Sequence, residues 1–192
     1  VPDHIDLEFA NEALKDFKEV ADVPTEIMAE FSSKLPEQII ALWNEYGLGS
    51  FCNGYLKMII PNDYRNIVET SYYDGKNAIP VMATGFGDII VWKPKDETMV
   101  LLLYRYQNLQ VLESGCTYFF EDLADKDGVL NNRLKKKKYD KALEQYGSLE
   151  YDECFGYVPL LGMGGKESIK NIQKVKIKEH IELITQAVGK IE

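Results

Sequence analysis

The chain has 192 residues, 45% of them apolar, with a formal charge of -9 and an isoelectric point near 4.9. That length holds one large domain or two small ones sharing an interface, and the apolar share excludes a disordered chain. The negative charge argues against direct binding of phosphate backbones and leaves either plain solubility or a basic partner.

In chain order, Phe9, Ala13, Phe17 and Val20 recur at helical spacing and predict an amphipathic helix over 7–20. Glu8, Glu12, Asp16 and Glu19 follow the same spacing, so this helix is expected to carry an acidic stripe. A second helix begins near Pro36, turns Ile39, Leu42, Trp43 and Tyr46 inward and ends at Gly47. A strand over 55–60 and a short helix over 62–69 come next, with Asn62 and Asp63 placed to cap its amides. The runs 78–83, 88–93, 99–106 and 109–112 are rich in strand formers and separated by Gly85-Phe86-Gly87, Pro94 to Glu97, and Gln107-Asn108. Such short connections require antiparallel pairing, because a parallel crossover needs a dozen or more residues. Helices are predicted over 117–123 and 130–146, a strand over 154–159, and a last helix with Ile177, Ile181, Ile184 and Val188 on one face, ended by Gly189.

No apolar run approaches the roughly 18 residues of a membrane helix, and the segment Val1 to Glu8 lacks the pattern of a signal peptide, so a cytoplasmic protein is expected. Cys52, Cys116 and Cys154 form no C-x-x-C pair and predict reduced, buried thiols. With only His4 and His180, a histidine-based metal site or catalytic relay is not expected.

Several motifs fail on inspection. Gly165-Lys166-Glu167-Ser168 lacks the preceding glycine and the hydroxyl after lysine that a phosphate loop requires. Gly85-Phe86-Gly87 lacks the third glycine of a dinucleotide site and reads as a hairpin turn. Asp125-Lys126-Asp127-Gly128 puts leucines at the first and last ligand positions of a calcium loop. Asp63 with Asp74-Gly75-Lys76 superficially matches the carboxylates and lysine of a metal-dependent nuclease, although Asp74 to Asn77 has the composition of a turn.

Charge is distributed unevenly. Residues 1–30 hold nine carboxylates against Lys15 and Lys18, which makes that segment either a solvated acidic face or a surface complementary to a basic protein. The opposite sign appears from Arg133 to Lys141 and again at Lys166, Lys170, Lys174, Lys176 and Lys178. No aromatic residue interleaves Lys135 to Lys138, which favours a solvated face or a docking surface for an acidic neighbour over nucleic-acid binding. The N-terminal segment of the chain itself is one such neighbour. Tyr72 and Tyr73 are further candidates for partner contact, since aromatic side chains dominate binding hot spots.

The C-terminal third carries a strand ending in Val158-Pro159, the turn Gly162-Met163-Gly164-Gly165, then Asn171-Ile172-Gln173-Lys174-Val175-Lys176 leading into the last helix. Together with Phe86-Gly87-Asp88-Ile89-Ile90-Val91-Trp92, this order resembles the bacterial two-domain immunity proteins with a GAD-like N-terminal domain. The resemblance implies an α+β protein, with a GAD-like part at 1–115 and a smaller helical domain at 116–192. It also implies a function: non-enzymatic, cofactor-free inhibition of a cognate nuclease toxin, commonly a type VI secretion effector. On charge and aromatic content, the candidate contacts are Glu8, Glu12, Asp16, Glu19, Tyr72 and Tyr73. The alternatives are an adaptor that binds another protein without inhibiting it, and a nuclease using Asp63, Asp74 and Lys76.

Overall fold

The central strands of the sheet are buried on both faces, and this explains why their segments read as continuous apolar runs rather than as alternating ones. The structure is a computed structural model and describes residues 6–192. The first half runs α1 (Glu8–Asn11), β1 (Lys18–Ala21), α2 (Thr25–Phe31), α3 (Glu37–Tyr46), β2 (Leu48–Phe51), β3 (Leu56–Met58), α4 (Pro61–Ser71), β4 (Ile79–Thr84), β5 (Ile89–Lys93), β6 (Thr98–Leu103) and β7 (Asn108–Ser114). The second runs α5 (Cys116–Ala124), α6 (Val129–Arg133), α7 (Lys136–Tyr146), β8 (Glu153–Tyr157), β9 (Ile172–Lys176) and α8 (Ile177–Val188).

Strands β1 to β7 form one antiparallel sheet in sequential order, and β8 pairs with β9 in a separate hairpin. The fold is therefore α+β, as expected. Along β5, Ile90 and Trp92 face one core, while Ile89 and Val91 face the other. Along β6, Leu101 and Leu103 divide from Val100 and Leu102 in the same way. The first core is closed by residues of α1, α2, α3, α5, α6 and α7, and the second by α4 and α8. Both cores draw side chains from either side of position 115, so the two halves share their interior.

Three contacts tie the C-terminal hairpin to the sheet. The Phe155 N–H donates to the Gly85 carbonyl at 2.7 Å, and the Tyr151 hydroxyl donates to the Met58 carbonyl. Lys57, only 1% exposed, donates to the carbonyls of Glu150 at 3.1 Å and of Glu153. Burial pulls the Lys57 amine down to about 8, and the two carbonyls supply the hydrogen bonds that water would otherwise give it.

Several expectations are corrected. Residues 7–20 are not one helix: α1 ends at Asn11, and β1 forms the outer strand against β2. Glu8, Glu12 and Asp16 are like charges at successive i,i+4 positions, which disfavours the helix, and Asp16 is drawn to a distant turn instead. Residues 130–146 are two helices, because Lys135 adopts the left-handed region at φ 59. The Leu134 carbonyl accepts from the Tyr55 hydroxyl at 2.5 Å, which occupies a group at the break. Residues 172–176 form β9 and lead directly into α8, as expected, while α2, β1 and β2 are additional elements. The last residues of the expected 99–106 strand, Tyr104 to Tyr106, form a 3-10 turn after β6. Pro61 is the first residue of α4, so Asn62 and Asp63 lie inside its first turn and make no side-chain cap.

Candidate functional site: the charged faces

The residues expected to form one acidic stripe are dispersed. Glu8 lies exposed in the first turn of α1, and Glu19 is exposed on β1. Glu12, also exposed, pairs with Lys15, and this neighbour holds the Glu12 carboxyl below its usual range. Asp16 has a structural task. Its two oxygens accept the N–H groups of Cys52 at 2.8 Å and Asn53 at 2.6 Å. Those residues turn the chain from β2 to β3 with φ values of 54 and 57, a conformation that costs energy without glycine. Asp16→Ala is expected to cost about 1.5–3 kcal/mol, because two amides lose a charged acceptor. A urea titration checks this, and a loss below about 0.5 kcal/mol would mean that water replaces the carboxylate freely.

Tyr72 and Tyr73 part ways. Tyr72 is 5% exposed and sits in the second core, whereas Tyr73 is 84% exposed. Of the two rings, only that of Tyr73 is exposed.

Of the residues of the nuclease alternative, Asp63 is exposed in the first turn of α4 and Asp74 is already partnered. The Asp74 carboxylate is engaged by Lys93 at 2.5 Å and by the Asn77 amide at 2.7 Å, while Lys76 is exposed. Lys93 and then Asn77 hold the Asp74 carboxyl below its usual range, the sign of a satisfied ion pair rather than a general base. Among the described residues no three His, Cys, Asp or Glu side chains come together to hold a metal ion. The cysteines are free, and burial pushes all three thiols up to about 12, where they are inert. His180 is buried, and burial pushes it down to about 4, so it is neutral. His4 and Asp3 lie outside the described residues.

Two charged concavities occupy the outer surface. One cleft of about 570 Å³ brings Glu12, Lys15 and Asp16 opposite Lys136, Lys137 and Asp140. The acidic N-terminal segment thus neighbours part of the lysine run, within reach of one cleft. Around the break at Lys135 the surface is basic, with a cleft of about 410 Å³ lined by Lys135, Lys137, Lys138 and Lys141. Sequence reasoning noticed the lysines but spread them around one continuous helix; the left-handed residue gathers them at a helix junction instead.

A second charged feature escaped the sequence reading. Asp88 and Arg105 form an ion pair at 3.2 Å with side chains 1% and 4% exposed. The guanidinium also lies 4.2 Å from the Phe86 ring centre and 5.0 Å from that of Tyr106. Burial pushes the Asp88 carboxyl up to about 6 against the opposing pull of Arg105. The signal was available, since each is a single charge set within an otherwise apolar or aromatic run.

No helix among the described residues is long and apolar enough to cross a membrane. No curated protein matches the chain. The crystal structure of Atu4351 from Agrobacterium tumefaciens shares the fold, with a TM-score of 0.75 over 92% of this chain and 88% of that one, at 16% identity. Residues 113–188 match the family described as T6SS immunity protein Tdi1, C-terminal. Residues 7–104, half of the chain, match the GAD-like domain, and the protein belongs to the GAD-like family.

Proposed function

We propose that the chain is an immunity protein that binds a cognate secreted nuclease toxin and neutralises it by stoichiometric contact. The observation that carries this reading is the order of the two family matches, a GAD-like domain followed by a segment similar to a type VI secretion immunity protein. The chemistry of the surface agrees with it. Both faces of the central strands are covered by the protein's own helices, the thiols stay protonated and His180 is neutral, and charged clefts remain on the outside. Inhibition of this kind asks no residue to perform chemistry and needs no cofactor; a standard interface of roughly 1,600 Å² suffices if a few anchors are fully desolvated. Glu8, Glu12, Glu19 and Tyr73 are exposed candidates for that contact, and the toxin would meet them in the cytoplasm.

Co-expression with the product of the adjacent gene tests the reading. Alone, that product is expected to degrade cellular DNA and stop growth; with this chain present, growth returns and the two proteins co-purify in a fixed ratio. A harmless neighbour that still co-purifies would replace immunity with the adaptor reading, and cleavage of DNA by this chain itself would revive Asp63, Asp74 and Lys76.

A further inference from the structure

Residues 133–141 contain six cations and one carboxylate in a protein whose total charge is -9. Three of the cations are neutralised within the molecule: Lys136 by Asp140, Lys137 by Asp127 at 2.8 Å, and Lys138 by Glu167. Arg133, Lys135 and Lys141 have no carboxylate within 4 Å among the described residues. These three are not scattered. A cleft of about 550 Å³ is lined by Arg133 and Lys135, and the adjoining one of about 410 Å³ by Lys135 and Lys141. The two clefts share Asn132 and Lys135, so they form one groove that passes the left-handed break between α6 and α7.

The first cleft also contains one buried hydrogen-bond acceptor without a partner. Asn108 and Gln110 of β7 line it, and the buried Oε1 of Gln110 accepts no hydrogen bond. Such an acceptor is costly to leave empty, and a backbone N–H laid along the groove would fill it. β7 is the last strand of the sheet, the position at which an extended segment finds strand-like surroundings.

We propose that this groove docks an extended acidic segment of the partner protein, its carboxylates meeting Arg133, Lys135 and Lys141. The inference rests on the immunity reading for the identity of the partner, the toxin, but not for the chemistry of the groove. A polypeptide fits better than a nucleic acid. A chain of charge -9 repels a polyanion as a whole while attracting a short acidic stretch locally. The one aromatic side chain lining the groove, Tyr106, has its hydroxyl engaged by Glu167 at 2.5 Å, and no row of rings is present for bases to stack on. Guanidinium and ammonium groups with no carboxylate partner among the described residues are the form in which a protein recognises carboxylates, with steering at low salt as a consequence.

The test uses the full chain and two labelled probes, a glutamate-rich dodecapeptide and a duplex oligonucleotide of equal charge, beside the co-purified partner. Arg133→Glu with Lys135→Glu and Lys141→Glu is expected to weaken the peptide and the partner by at least about tenfold at low salt. Lys76→Glu with Lys95→Glu and Lys190→Glu changes net charge equally and is expected to leave both within about twofold. Arg133→Gln with Lys135→Gln and Lys141→Gln serves if the reversal disturbs folding, and is expected to weaken both in the same sense. Equal losses in the two charge-reversed sets, or preference for the duplex over the peptide, would overturn the proposal. Rescue by a groove variant that holds the toxin undiminished would overturn the docking site while leaving immunity intact. A neighbouring gene product that proves harmless but binds through the groove would overturn only the immunity reading.

Discussion

Arg105→Met is expected to lower the free energy of unfolding by about 3–5 kcal/mol, because it leaves the Asp88 carboxylate buried without its countercharge. The location makes this one of the two largest single-residue effects we expect. Both side chains are almost wholly enclosed, and the guanidinium additionally loses its contact with the Phe86 ring 4.2 Å away. The effect has a direction in pH. Burial has already raised the Asp88 carboxyl to about 6, and a carboxyl raised above its unfolded value contributes stability below that unfolded value and loses it as pH rises through the folded one. Removing Arg105 removes the group that opposes this rise. The deficit of the variant should therefore be smallest near pH 4, where Asp88 is neutral in both proteins, and should grow as pH rises through 6. Denaturant titrations at the two ends of that range measure it. Adding Asp88→Leu should recover most of the loss, since a buried pair replaced by apolar groups is often neutral or better. A double variant no more stable than Arg105→Met would locate the cost in packing, not charge.

Tyr139→Ala is expected to cost about 3–5 kcal/mol, for a different reason. Its fully buried ring lies 4.7 Å from that of Tyr55, 6.2 Å from Phe86 and 5.6 Å from Phe155, and its hydroxyl donates to the Asn53 carbonyl at 2.9 Å. One side chain of α7 thereby joins the sheet, its β2–β3 turn and the C-terminal hairpin. Tyr139→Phe keeps the ring and should cost only about 1 kcal/mol, the worth of one hydrogen bond. Gly85 provides an internal check. A Cβ there would stand 2.3 Å from Tyr139 Cε2, so Gly85→Ala should cost about 1–3 kcal/mol by overpacking. Combined with Tyr139→Ala the methyl enters vacated space, and the double variant should be more stable than the sum of the two losses predicts. Strict additivity would mean that Gly85 and Tyr139 do not meet in solution.

The periodic segments needed little beyond the amino acids. The helix ended by Gly47, the hairpin at Gly85-Phe86-Gly87, the antiparallel meander and the last helix ended by Gly189 are all present. Each combines a local hydrophobic period with a punctuating residue, two signals that do not depend on distant contacts. The family resemblance was legible for the same reason, because it rests on runs such as 86–92 that the sheet requires.

Where the local pattern failed, a distant partner decided the outcome. Residues 7–20 have helical spacing, but the sheet edge recruits Lys18 to Ala21 as β1, and the amides of Cys52 and Asn53 claim Asp16. A stripe read from one helix therefore became four carboxylates in four environments. Four lysines in a row carry no hint of a helix break, because the break at Lys135 accompanies a hydrogen bond from Tyr55, 79 residues away in sequence, to Leu134. Tyr72 and Tyr73 are adjacent and chemically alike, and α4 with the C-terminal Ile191 covers one and leaves the other in solvent. Composition and periodicity determined that this chain is acidic, mixes helices with an antiparallel meander, and sets an acidic N-terminal segment against basic runs further along. Which of those charges are consumed inside the molecule and which remain exposed was decided only by tertiary structure, since an ion pair or a buried amide is a relation between residues that sequence spacing does not encode.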